Sequence, residues 1–477
     1  MTKLTTVPLL QDLPFDATVP ADRVPPPPRP PERPRRPKGQ VNLDWTLVVL
    51  LRRKASELIA HELAEHLQAE GVAMPDVDRR LLGRSLVRRV VRDHAEELSS
   101  DGRALWPMAL EHAYAEAVES AIFGYGRLQP LFEIPEAENI EIHGHDSVMV
   151  QFGDGRREGR PPVADSDQEL VEAIRFLGES VSPPRPFDDA HPTMTLALGD
   201  RFRLHAIGFG LSYRPSIVIR QHTLTDVSLK HLVAGGMMPE NVGRLLHSAV
   251  MARKSIVIAG DQGAGKTTLL RALIAAIPAN ERFGTLETDY ELLTHLQAGR
   301  RNMLALQAKV GMGERQDGHR LGEYTVADLI PEALRQNLAR LIVGEVRGTE
   351  AGAMFEAMQS GAGTLSTTHS HSAASTMDRL ASRVAQGGVL SVEEAYRQIA
   401  HHIHLLVHVR LVDDTWRGGT RARLVAEIRQ LTGAIEGGRP VTQLVYTAAT
   451  PTAAERFHPV PGFAAELAEF DSAWDAS

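Results

Sequence analysis

The spacing of apolar positions changes three times along the chain. From residue 41, Leu51, Ala55, Leu58, Ile59, Leu63 and Leu67 recur at helical spacing, and Gly71 and Pro75 end the run. Leu82, Leu86, Val90 and Val91 form a second helical stripe with several arginines on the opposite face. Near Gly124 the period shortens. Asn139–His143 and Ser147–Phe152 read as strands around the turn Gly144-His145-Asp146, and Gly153-Asp154-Gly155 closes a hairpin. Glu169–Leu177 has a helical pattern, while Thr193–Leu198, Arg203–Ala206 and Ser216–Arg220 are further strands. Asp226 caps a helical region, and Pro239–Ala252 is a helix. Beyond it, short apolar strands alternate with helices: Ser255–Ala259, a strand ending at Thr285–Glu287, Arg340–Val343 and Thr364–Thr367. Thr325 and Asp328 make a capping box for a helix running through Leu334 and Leu338, distorted by Pro331. Such alternation predicts a parallel sheet that binds its ligand at the carboxyl ends of the strands. His404–Leu411, Leu424–Leu431 and Val441–Tyr446 read as a closing antiparallel set.

These patterns predict an α/β protein in five parts. Residues 1–40 are a disordered tail, 41–120 a helical region, 121–225 an α+β domain, 226–447 the parallel-sheet domain and 448–477 a C-terminal tail. In the first part, Pro25–Pro28 and later prolines to Pro37 interleave with arginines, which favours extended polyproline II backbone. That part reads as a solvated linker or as a tether to an acidic partner or membrane surface.

Composition narrows the chemistry. The 477 residues include no cysteine, which excludes disulfides, cysteine nucleophiles and cysteine-ligated zinc. A net charge of -8 argues against a broadly basic nucleic-acid binder. No apolar run approaches the ~18 residues of a membrane span, and MTKLTTVPLLQDLPF lacks a signal-peptide layout. The expectation is a cytoplasmic protein that meets a membrane only through a partner or a surface contact.

The segment KSIVIAGDQGAGKTTLL carries the most specific chemistry. Gly260, Gly265, Lys266 and Thr267 fit G-x-x-x-x-G-K-[ST] between a strand and a helix. Glycines at 260, 263 and 265, with Ala264 between, let successive N–H groups face phosphate oxygens, and the helix beginning near Lys266, Thr267 and Thr268 adds partial positive charge. Lys266 supplies a charge for the β- and γ-phosphates, and the Thr267 hydroxyl is an oxygen ligand for Mg²⁺. The competing reading is a glycine-rich turn of no special function.

Acids gather where such a loop would need them. Glu345 follows Leu341, Ile342 and Val343 at a strand tip and could hold Mg²⁺ or orient water. Glu287, Asp289 and Glu291 cluster after the preceding strand, with Glu287 or Glu291 placed to activate water; a solvated acidic loop is the plainer alternative. His369 ends the Thr364–Thr367 strand and would face the γ-phosphate, although His371 competes for the role. Arg203 and Arg220 on strands of the α+β domain, and Arg347 after Glu345, are candidates to assist phosphoryl transfer from a neighbouring domain or subunit.

Several segments together resemble the type II/type IV secretion and pilus-assembly ATPases, most of all the tight-adherence (Flp-type) branch. They are GYGRLQPLFEIPEAENIEIHG, PSIVIRQH, GDQGAGKTT, LETDYEL, ALRQNLARLIVGEVRG, GTLSTTHSHS and RPVTQLVY. The resemblance implies a RecA-like ATPase core hinged to an α+β domain, assembled as a hexamer, with ATP and Mg²⁺ between the domains. It also implies a polytopic inner-membrane platform protein as partner. By residue, it gives Lys266 and Thr267 the phosphate-loop roles, Glu345 the acid of the second nucleotide motif, Glu287 and Glu291 the aspartate box, His369 the histidine box, and Arg203 and Arg220 the domain arginines. The family begins its aspartate box Glu-Asp; here Thr288 follows Glu287 and Asp289 comes one place later. A nucleic-acid translocase and a nucleotide-sensing scaffold that hydrolyses ATP poorly are the rival readings.

Overall fold

The computed structural model describes residues 43–476 except 182–183, 200, 223, 225, 298, 310, 317–318, 347–349, 360–362, 389, 450–453 and 459. The proline- and arginine-rich part, residues 1–40, and Arg347 lie outside the described residues.

Three helices open the described chain: Trp45–Glu70, Asp76–Ser100 and Met108–Phe123. Asp44 caps the first, its carboxylate accepting from the Thr46 amide at 2.9 Å. The two stripes face inward in part: Leu51, Ala55, Val90 and Val91 are buried against Tyr114 and Val118 of the third helix, whereas Leu58 and Leu67 are exposed.

The α+β domain is a six-stranded antiparallel sheet. Its order is Arg157–Arg160, Val148–Phe152, Ala137–His143, Ser216–Gln221, Phe202–Ile207 and Thr193–Leu198. Alternate residues such as Ile140, Ile142, Ile217, Ile219 and Leu204 point to the face covered by the helix Asp167–Ser180. The opposite face is free to carry charge, as the period-two pattern requires.

Among the described residues, the main sheet of the second domain has nine strands. Six run parallel, in the order Leu405–Asp413, Ile256–Gly260, Leu365–His369, Arg340–Val346, Phe283–Glu287 and Met303–Gln307. The antiparallel strands Arg421–Glu436, Arg439–Thr447 and Arg456–Phe457 extend the sheet beyond Leu405–Asp413. The central strands are buried on both faces, which is why they read as unbroken apolar runs. The Thr325 and Asp328 capping box opens the helix Val326–Leu334, with Pro331 inside it. The stretch between Gly311 and Gly322, which reads as a glycine-broken loop, pairs Met312–Gln316 with His319–Leu321 as a hairpin.

The C-terminal residues are not loose. Phe463, Leu467 and Trp474 are buried in the same core as the phosphate-loop strand. Lys254 pairs with Glu466, and Arg244 with Asp471. Sparse apolar content predicts a tail here, but three large side chains suffice to seal the outer face of the helix Glu240–Met251. Trp474→Ala is therefore expected to lower stability by about 3 kcal/mol. Chemical denaturation measures this, and a loss within about 0.5 kcal/mol, ordinary for a surface site, would show that the segment is only draped on the domain.

Candidate functional site

Four strand ends of the parallel sheet and one face of the α+β domain meet in a cleft. Arg203, Thr267, Glu287, Asp289, Glu291 and Glu345 line it, together with Gly344. The parallel topology accounts for the sheet's contribution. Register places Gly260 beside His369, and Val343 beside Leu286, so that the loop, both acidic segments and the histidine emerge side by side.

The phosphate loop has the backbone its glycines allow. Gly263 and Gly265 have φ of +75° and +94°, in the left-handed region. A side chain on Gly260 would collide with the Val409 carbonyl. Lys266 begins the helix Lys266–Ala275 and is buried. Its ammonium donates to the carbonyls of Gly260 at 3.0 Å and Asp261 at 2.9 Å, and lies 3.3 Å from His369 Nδ1. His369 Nε2 is in turn 2.9 Å from Glu345 Oε1. One chain of contacts thus joins lysine, histidine and strand acid. His371 is exposed and meets Asp261 at 3.0 Å, which separates the two histidines that sequence leaves ambiguous.

Glu345 owes its position to an irregularity. The pairing of Arg340–Val346 with Leu365–His369 shifts register between Val343 and Val346. Thr367 and Thr368 brace this step through their hydroxyls, donating to the carbonyls of Gly344 at 2.7 Å and Val346 at 3.0 Å. A Cβ on Gly344 would come within 3.1 Å of Glu287 Cγ, so the glycine leaves room for that side chain.

Glu287 is an acid perturbed by burial. Its Oε2 accepts from the amides of Glu291 at 2.8 Å and Leu292 at 2.7 Å, yet burial pushes its pKa up to about 7. Asp289 and Glu291 instead receive the Arg203 guanidinium, at 2.8 Å for Asp289. Arg203 and Arg220 sit directly opposite each other on neighbouring strands, an arrangement of like charges that costs energy unless anions offset it. Arg220 does not line the cleft, but its field reaches His222 and Arg271.

Two arginines, Arg271 buried and Arg423 partly exposed, were not legible in the sequence. Arg271, one turn into the phosphate-loop helix, donates to the Glu291 carbonyl and, at 2.8 Å, to the Leu224 carbonyl of the interdomain linker. Burial first, then Arg220, draws its pKa down to about 10, against the pull of Glu291 and Glu287. His222, beside it, is driven to about 3 by burial and by Arg271, Arg220 and Arg203, and so stays neutral. Arg423 donates to the Gly263 carbonyl at 2.7 Å. Nothing in a single sequence separates such arginines from surface ones.

The residues fit a nucleoside triphosphate with Mg²⁺. A buried ammonium, left-handed glycines at a helix start and a set of arginines suit phosphate oxygens. Among the described residues no group of three His, Asp or Glu is arranged to hold a metal by itself. A phosphate-bound Mg²⁺ needs none, since it draws on a threonine hydroxyl, phosphate and water, and Thr267 and Glu345 line the same cleft.

Fold and cleft together define a phosphate-loop nucleotide-binding protein with an appended α+β domain. The profile of the type II/IV secretion system protein family matches residues 181–434, and the chain belongs to that family of secretion ATPases. A Mycobacterium tuberculosis protein, provisionally named a conjugal transfer protein, is 29% identical over 340 residues, covering 68% of this chain and 90% of that protein. VirB11 of Agrobacterium fabrum is 31% identical over 178 residues, covering 36% of this chain and 49% of that protein. Among solved structures, the Yersinia pseudotuberculosis ATPase DotB is similar with 18% identity and a TM-score of 0.42, covering 64% of this chain and 77% of that one.

Glu287 yields a test of the cleft's electrostatics. A carboxyl whose pKa rises from 4.5 to about 7 on folding favours the folded state while protonated, and loses that contribution as pH climbs through this window. Glu287→Gln keeps an acceptor for the two amides and carries no charge. The variant is expected to gain on the wild type between about pH 4.5 and pH 7, by about 3 kcal/mol at pH 8. Denaturation at several pH values measures the difference; a constant gap between the two proteins would contradict the buried, proton-holding carboxyl.

Proposed function

We propose that the chain is a Mg²⁺-dependent ATPase that works as a hexameric ring and powers protein secretion or pilus assembly at the inner face of the cytoplasmic membrane. The observation that carries the reading is Arg203. It belongs to the α+β domain yet binds Asp289 and Glu291 across the cleft that also holds Thr267, Glu287 and Glu345. A nucleotide in such a cleft touches both domains at once, and its hydrolysis changes the charge that holds them together.

In this reading the glycines and Lys266 bind phosphate, while Thr267 and Glu345 are the residues that would hold Mg²⁺. The bound Mg²⁺ would neutralise charge on the β- and γ-phosphate oxygens. His369 links Lys266 to Glu345 and so registers the phosphate end of the site. Glu287, with a pKa near neutrality, is the residue suited to take a proton from water. Glu291 and Asp289 hold Arg203 until phosphate competes for it. Arg203 and Arg220 then stabilise the transferred phosphoryl group from the neighbouring domain.

The quoted motif segments favour the tight-adherence pilus branch. The described residues include no helix long and apolar enough to cross a membrane, so the ring would meet the membrane through a polytopic platform protein. The name of the mycobacterial relative favours a second reading, movement of DNA in conjugation. A net charge of -8 weighs against it, and salt-sensitive stimulation of turnover by DNA would support it.

Turnover of the purified chain should rise with protein concentration as a six-subunit species forms, and Lys266→Ala should abolish it. Arg203→Gln should lower kcat on the order of 10³-fold while nucleotide binding survives. Steady-state kinetics beside mass measurement tests all three. A monomer with full activity would end the ring reading, and a chain that binds ATP without turnover would point to a sensing scaffold.

A further inference from the structure

The phosphate loop has a second connection to the α+β domain, remote from Arg203. The strand Ala137–His143 shifts register against its neighbour between Ala137 and Asn139, leaving Glu138 as the extra residue of a bulge. A bulge re-aims the side chain it carries. Glu138 leaves its own sheet and enters the other domain, where its Oε2 accepts from Arg421 Nη1 at 3.0 Å and its Oε1 from Arg423. Arg421 and Arg423 are two apart on the strand Arg421–Glu436, so both project from one face. Arg421 also donates to the Phe152 carbonyl at 3.2 Å. The turn residue Gly155 packs on the same arginine, with Arg421 Cδ 3.1 Å from where its Cβ would be.

Arg423 carries the contact onward. Its Nε donates to the Gly263 carbonyl at 2.7 Å. Its stem lies against the loop, with Cδ 3.4 Å from where a Cβ on Gly265 would sit. The loop's left-handed glycines have no side chains to fix them, so an external donor on the Gly263 carbonyl has a large share in deciding which way its peptide faces. The donor is itself fixed by a carboxylate from the other domain. Glu138 side-chain exposure is only 16%, where a charge-assisted pair is stronger than on an open surface.

We infer that Glu138 is a positioning residue for nucleotide binding: through Arg423 it holds the Gly263 carbonyl, so that the seating of the α+β domain sets the shape of the phosphate loop. This deepens the ATPase reading and rests on it for its consequence, but the loop geometry can be tested without nucleotide. Departure of the domain removes Glu138, leaves Arg423 with one partner and loosens the loop. Nucleotide affinity then depends on domain position by a route separate from Arg203.

The test uses the full chain with Glu138→Gln, Glu138→Asp, Arg423→Lys and the double variant Glu138→Gln/Arg423→Lys. Amide exchange of residues 260–268 is followed without nucleotide, and affinity for a fluorescent ATP analogue is measured in parallel. Glu138→Gln should speed loop exchange and weaken binding, each about tenfold, with turnover at saturation changed less than about twofold. Exchange in the strand Phe283–Glu287 should not move. Glu138→Asp should recover part of the loss, and the double variant should be no worse than the worse single. Unchanged loop exchange in Glu138→Gln, or losses that simply add, would overturn the inference. If turnover still requires Lys266 in that case, the ATPase reading stands alone. A loop effect in a chain that binds the analogue without hydrolysing it would keep the inference and overturn hydrolysis.

Discussion

Arg203 is fixed in one domain and neutralised in the other. Its strand places it opposite Arg220, and it finds its carboxylates on the loop that follows Phe283–Glu287. In the proposed reading, a guanidinium in this position makes the cleft the place where domain packing and phosphate chemistry share one set of charges. Acids hold the arginine across the gap, and phosphate oxygens, which also take a guanidinium bidentately, would compete for it. In the proposed reading, the remainder of the site serves this competition. Lys266, His369 and Glu345 form one line of contact on the sheet side, and Arg271 ties the acid loop to the linker and to the phosphate-loop helix.

The scaffold makes the arrangement inexpensive. A parallel sheet collects the ends of its strands on one edge, so residues far apart in sequence, from Gly260 to His369, arrive as neighbours without long loops. Two irregularities then aim individual side chains. The step at Gly344 and Glu345 turns an acid into the cleft, and the bulge at Glu138 sends an acid out of its own sheet. Both are braced, the first by threonine hydroxyls and the second by two arginines.

Much of this was legible in the sequence, for definite reasons. Strand Ile256–Gly260, the glycine pattern and Lys266 announce themselves because backbone conformation, burial and charge all constrain the same few residues. Strand-end acids could be placed because parallel strands buried on both faces are unbroken apolar runs with visible ends. The roles of Arg271 and Arg423 were hidden, since an arginine that caps a buried carbonyl has the same letter as one in water. The C-terminal segment reads as a tail because three anchoring residues, Phe463, Leu467 and Trp474, are too few to form a periodic stripe. The hairpin at Met312–Gln316 was missed because its glycines read as a break.

The central claim is that the charge in the cleft sets the relation of the two domains. The chain has no cysteine, so two introduced ones label it uniquely. Tyr213, 98% exposed in the α+β domain, and Val392, 44% exposed on the ATPase domain, are suitable positions. The decisive measurement is the distance distribution between spin labels at 213 and 392, without nucleotide, with a non-hydrolysable ATP analogue and with ADP. The account predicts that the analogue shifts the distribution, that ADP returns it toward the nucleotide-free one, and that Arg203→Gln abolishes the shift while the analogue still binds. One distribution in all three states, or a shift that survives Arg203→Gln, would contradict it.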